Sequence, residues 1–324
     1  MQKTLQEFQV FDLHTIDFVN SIYEIINHNN YRSNHSEIIN FPTEVNKKPI
    51  QIIDYKPRDY SETTIFNLPM GNGFNSNMLF WIDVLKHTLT DQRIIVFSNP
   101  AEPKQSNGNY KVSALKKILN GDKTPLIKPQ IDYLKQQKIN EINQIGYSLG
   151  TEKSLILSYF AQDYDLKINH SMMVEPVSVL TRNLINLAQD FTRSGKDLKK
   201  YIEQADSERY IEKFNQASKE GFGDIGYILG ILRLSNLVIA KIMAEGNFEN
   251  LLMSSLSTQS KMTANIIWGQ KSLICQHNHI SKITNTLEAK YPQRIKTMIL
   301  KNESHALADN IFLFSAIIKQ NLPN

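Results

Sequence analysis

The 324-residue chain is 41% hydrophobic and 21% charged, proportions of a globular protein large enough to bury an extensive core. Its 36 Lys and Arg against 32 Asp and Glu leave a net charge of +4, with no dense basic block interleaved with aromatics, so no nucleic-acid partner is expected. A single cysteine, Cys275, rules out an intramolecular disulfide and fits a reducing compartment. With no basic start leading into an apolar stretch and no run of about 18 uncharged apolar residues, the expectation is a cytoplasmic chain without a signal peptide or integral membrane association.

In chain order, residues 15–28 have the spacing of an amphipathic helix, and strands are predicted over 37–40 and 49–55, the second alternating apolar and polar. Residues 63–68 form a short apolar run ending at Pro69-Met70-Gly71-Asn72-Gly73. A helix follows over 78–88, then a buried strand over 93–97 that stops at Asn99-Pro100. Helical material occupies 112–137, interrupted near Pro125 and Pro129, before residues 142–145 lead into a turn. The next strand, 168–174, ends at Glu175-Pro176. From 179 to 261 the alternation ceases and the pattern is helical, broken at Gly195 and at Gly221-Phe222-Gly223. It resumes with a strand over 265–269, a helix over 279–289, a strand over 295–300 and a final helix after Asn302-Glu303-Ser304-His305.

Short apolar strands separated by helices imply an α/β fold with a mostly parallel central sheet covered by helices on both faces. The block at 179–261 is expected to be an all-helical cap inserted between two parts of the core, 1–178 and 262–324.

Function is most legible at Gly146-Tyr147-Ser148-Leu149-Gly150. A serine at a sharp strand-to-helix turn adopts a strained backbone, and small residues must flank it for the turn to close. Gly146 and Gly150 supply that room, and the apolar helical segment after residue 150 puts Ser148 at a helix N-terminus, where N–H groups favour a developing negative charge. Activating a hydroxyl requires a base, normally an imidazole. His305 follows the last strand in a loop and is the best-placed histidine; His14, His28, His35 and His87 precede the serine, and His170 lies early within a strand. Acyl chemistry also needs two N–H donors for an oxyanion. Leu149 supplies one by following the nucleophile, and the Gly-rich turn after the 63–68 strand supplies the other, assigned to Asn72.

The Gly-rich turn, the serine elbow, the helical insertion and the late histidine, in this order, resemble the α/β-hydrolase superfamily over nearly the whole chain. In that family the turn often begins His-Gly, where this chain has Met70, a tolerable change because the donor is a backbone group. The family's orienting acid is most often an Asp in stretches similar to Trp-Gly-x-x-Asp. Here the segment reads Trp268-Gly269-Gln270-Lys271-Ser272, and no Asp or Glu occurs between Lys261 and Glu288. A minority of the superfamily carries the acid after the strand that follows the elbow, and Glu175 stands there, at a strand end where ligands gather in open parallel sheets. The alternatives are that Glu175-Pro176 only turns the chain, that Asp224 or Asp309 reaches the histidine, or that the pair works without an acid.

Cys275, His277 and His279 alternate, but there is no second Cys/His cluster to complete a metal site, so no metal or other cofactor is expected. Within the insertion, residues 224–245 form the most apolar helix, with Gly226 and Gly230 four apart, a pattern of cap core. An apolar cap over Ser148 points to a small-molecule ester or thioester substrate with an apolar acyl part. The expected activity is a carboxylic-ester hydrolase with Ser148 as nucleophile, His305 as base and Glu175 as orienting acid. A peptidase or acyltransferase using the same pair, and a non-catalytic binding or scaffold protein, are the alternatives.

Overall fold

The computed structural model describes residues 7–8, 38–69, 74, 76–99, 109–194 and 234–322. The expected helix over 15–28, the Met70–Gly73 turn with Asn72, and residues 195–233 with Asp224 lie outside them.

Nine strands form one sheet: β1 (Glu7–Phe8), β2 (Ile38–Phe41), β3 (Ile50–Tyr55), β4 (Glu62–Asn67), β5 (Gln92–Phe97), β6 (Glu141–Tyr147), β7 (Lys167–Val174), β8 (Thr263–Gly269) and β9 (Ile295–Leu300). Their order across the sheet is β1-β9-β8-β7-β6-β4-β5-β3-β2. Every pairing from β1 to β5 is parallel, whereas β2 pairs antiparallel with β3 and β3 antiparallel with β5. The strand serving Ser148 is therefore interior. At that edge β3 runs against the other strands, and β2, its direct sequence neighbour, pairs with it as a hairpin and runs in the common direction again.

The central strands are continuous apolar runs because both faces are covered. Adjacent residues separate into two cores. Ile65, Ile95, Met173 and Ile266 join one, while Phe66, Ile94, Met172 and Ile267 join the other. The second core is closed by α1 (Ser76–Thr88) and α9 (Ile311–Asn321), through Trp81, Ile82, Phe314 and Ile317. The first is closed by α2 (Val112–Leu119), α3 (Lys128–Gln136), α4 (Leu149–Phe160), α7 (Phe248–Thr258) and α8 (His277–Lys290). Pro125 and Pro129 break the 112–137 segment as expected, by opening a 3-10 turn at Thr124–Leu126 and the first turn of α3.

Between β7 and α7, where the sequence predicts a helical insertion, the described helices are α5 (Leu184–Ser194) and α6 (Leu234–Ala244). The two ends of this segment are pinned together. Thr181 and Glu245 form an antiparallel bridge, and the Arg182 N–H donates to Ala244 O at 2.9 Å. Gly246 adopts φ +71, and a Cβ there would lie 2.5 Å from the Thr181 nitrogen, so only glycine lets the two segments meet. The chain then enters α7, which lies on the sheet layer against α4: the Ser255 hydroxyl donates to Leu155 O at 3.1 Å.

Candidate active site

Ser148 sits between β6 and α4 with φ 53 and ψ −119, a strained conformation for a residue with a Cβ. The turn is held by its own backbone. The Ser148 N–H donates to Val174 O at 3.0 Å, and the Thr151 N–H and hydroxyl both return to Ser148 O, at 2.9 and 2.7 Å. The two flanking glycines are sterically required. A Cβ at Gly146 would stand 2.6 Å from Gly150 O, and one at Gly150 would stand 1.9 Å from Asn67 O. The elbow therefore presses its helix onto the end of β4, where Asn67 donates to Ser154 Oγ at 2.8 Å.

The structure brings Ser148, His305 and Glu175 together. Ser148 Oγ lies 3.0 Å from His305 Nε2, and His305 Nδ1 lies 3.0 Å from Glu175 Oε2. Ser148, His305 and Glu175 are 3%, 6% and 0% exposed, so these contacts are shielded from bulk water. His305 does not lie in an open loop; it starts a 3-10 turn, His305–Asp309, that leads into α9. Glu175 follows β7 directly. It takes φ 52, and its Oε1 accepts the Gly269 N–H from the end of β8 at 2.5 Å. Of the carboxylates weighed from sequence, the one at His305 Nδ1 is Glu175. Leu149 opens α4 directly after Ser148, at a helix start whose N–H groups have no carbonyl one turn earlier in the helix.

Two residues at this site carried no sequence signal of their role. Tyr147 stacks on the His305 ring at 5.8 Å between centroids and 23°, and its hydroxyl donates to His305 O at 2.7 Å, so the residue before Ser148 fixes His305. Phe191, from α5, meets the same imidazole edge-on at 5.5 Å and 80°. Tyr147 was legible only as part of the elbow, and Phe191 only as one residue of the helical pattern from 179 to 261.

Cys275 is fully buried, and burial, with the nearby Glu175 charge second, lifts its thiol well above the usual range. Of its alternating neighbours, His277 accepts the Trp268 indole N–H at 3.2 Å. Among the described residues no group of three or more His, Cys, Asp or Glu side chains is arranged to hold a metal ion. No described helix is long and apolar enough to cross a membrane.

No protein-family model matches the chain, and no curated protein matches it. Solved structures do. A serine hydrolase from the polyaromatic-hydrocarbon-degrading bacterium Cycloclasticus zankles superposes with a TM-score of 0.54 at 13% identity, covering 87% of this chain and 96% of that one. A carboxylesterase structure from the ammonia-oxidizing Nitrososphaera gargenis gives 0.53 at 14%, covering 88% of this chain and 100% of that one. The chain has the α/β-hydrolase fold. A thioesterase domain from the curacin biosynthetic pathway, at 0.53 and 12% over 87% of this chain and 98% of that one, shares it. On the α/β-hydrolase fold, the ends of β6 and β7 and the turn after β9 meet at one edge of the sheet, and the three side chains above occupy that edge.

Proposed function

We propose that this chain is a serine hydrolase that cleaves a carboxylic ester or thioester through an acyl-enzyme. The observation that carries the reading is the unbroken line from Ser148 Oγ through His305 to Glu175, 3.0 Å at each step, in a buried site. As the serine oxygen attacks a carbonyl carbon, His305 Nε2 takes its proton. The Glu175 carboxylate, facing the Nδ1–H, stabilises the imidazolium and holds the ring in the tautomer whose Nε2 can accept. The tetrahedral oxyanion is held by the N–H of Leu149 and, in this reading, that of Asn72. Collapse expels the leaving group, which receives the proton from His305; water, activated by the same imidazole, then releases the acid and restores Ser148.

Phe191 supports an apolar acyl part. An insertion side chain against the catalytic imidazole means that α5 lies near the reacting atoms, where it would exclude water and contact a hydrocarbon. In this reading residues 179–261 contain the cap, its neck closed by Thr181 and Glu245. The esterase and thioesterase relatives in structure agree with acyl transfer to water. A chain with a buried free thiol and this chemistry fits a cytoplasmic setting, a small-molecule substrate and no cofactor.

The test is hydrolysis of p-nitrophenyl esters from acetate to laurate. The expected outcome is turnover by the natural protein, rising with acyl length to an optimum, and none above background by Ser148→Ala. Binding of the same esters without turnover would instead mark a non-catalytic protein on the same fold, and product found on an added alcohol or amine rather than water would mark an acyltransferase.

A further inference from the structure

Ser272 occupies the turn after β8, and its hydroxyl lies 2.5 Å from Glu175 Oε2, the oxygen that also meets His305 Nδ1. The hydroxyl is itself oriented. The Cys275 N–H donates to Ser272 Oγ at 3.1 Å, which leaves the serine proton to point at the carboxylate, and the Ser272 N–H closes the turn onto Gly269 O at 3.0 Å. The residue is 4% exposed, so water does not substitute readily for this donor.

A glutamate carries more rotatable bonds than an aspartate, and one that serves an imidazole must be held in a single rotamer. Glu175 reaches His305 from a backbone at φ 52, a conformation unfavourable for a residue with a Cβ and sustained only where surrounding contacts fix it. The Gly269 N–H pins Oε1. With that anchor alone the carboxylate could still turn about its last bond and lose its alignment with Nδ1; a donor on Oε2 removes that freedom. We propose that Ser272 is a positioning residue for Glu175, its hydroxyl fixing the plane in which the carboxylate meets the catalytic histidine. This rests on the reading of the site as a Ser–His–Glu hydrolase.

The experiment is the second-order rate of Ser148 phosphonylation by a fluorophosphonate, measured on the full-length protein with thermal melting alongside. Loss of a hydrogen bond to a carboxylate is expected to slow Ser272→Ala by about 10- to 100-fold, while Ser272→Thr, which keeps the hydroxyl, recovers most of the rate. Ser272→Cys, assayed under reductant, keeps the volume with a weaker donor; it is expected to slow labelling too, and serves if the alanine variant does not fold. In a Glu175→Gln background, adding Ser272→Ala is expected to change the rate by no more than about twofold, because both changes remove the same function. A merely structural serine would instead slow both backgrounds by the same factor. Equal labelling of folded Ser272→Ala and the natural protein, or an equal factor in both backgrounds, overturns the positioning role and leaves the hydrolase reading standing. No labelling of the natural protein overturns both.

Discussion

Two glutamates are buried near the Ser148 elbow, and their surroundings treat them differently. Glu175, 0% exposed at the end of β7, receives three donors on its two oxygens: the Gly269 N–H, the Ser272 hydroxyl and His305 Nδ1. Glu152, 1% exposed in the first turn of α4, receives Lys123 Nζ on Oε1 at 3.1 Å, and its Oε2 has no hydrogen-bond partner among the described residues. Burial therefore wins at Glu152. Desolvation raises its carboxyl from 4.5 to about 7, although Lys123 opposes the rise. Lys123 also reaches Glu245 at 3.3 Å, so this second cluster ties the elbow helix to the bridge between Thr181 and Glu245. Residue type and depth do not decide what a buried carboxylate can do; the donors around it do.

The largest expected effect separates the two by turnover. Glu175→Gln removes the charge facing the imidazolium and should lower kcat by about a thousandfold or more, whereas Glu152→Gln should stay within about threefold of the natural protein. Steady-state ester hydrolysis of the two variants side by side checks this, and equal losses would erase the distinction.

A smaller effect separates them by stability. The folded protein holds the Glu152 proton up to about pH 7, while the unfolded chain releases it near 4.5. Between those values the folded state binds more protons, so this group makes stability fall as pH rises through the window. His170 acts in the opposite sense. Burial first, and then the Lys296 charge, lower it from 6.5 to about 4, so the unfolded chain binds more protons between pH 4 and 6.5, and its contribution makes stability rise with pH there. Glu152→Gln should therefore raise the melting temperature near pH 8 relative to that near pH 5 by several degrees compared with the natural protein, and His170→Asn should shift the difference the other way. Melting curves across pH 4 to 8 measure both, and parallel curves for all three proteins would contradict the assignment.

Much of the fold was legible because the strands are buried on both faces and read as unbroken apolar runs bounded by Gly, Pro or Asn. The direction of β3 was not legible, since strand pairing is a long-range choice that a six-residue pattern does not encode. Nor was β1, whose two residues are too few to show a period. The elbow was legible because Gly146 and Gly150 answer a local steric demand, and His305 because the turn after the last strand must return to that sheet edge. Glu175 came from the resemblance to α/β hydrolases, a minority of which carry the acid after the strand that follows the elbow, once the commoner position proved to hold Ser272. Ser272, by contrast, read in sequence only as the loss of an acid; its partner is 97 residues away, so its part in holding Glu175 is visible only in space. For the same reason helical periodicity from 179 to 261 grouped α7 with the insertion without revealing that it packs on α4.

The central claim is that Ser148 is a nucleophile made reactive by His305 and Glu175. The most direct test is mass spectrometry of the protein after brief exposure to a fluorophosphonate. A single adduct on the peptide containing Ser148, absent from Ser148→Ala and formed far more slowly in Glu175→Gln, is the expected result. An unmodified protein, or an adduct on a different residue, would contradict it.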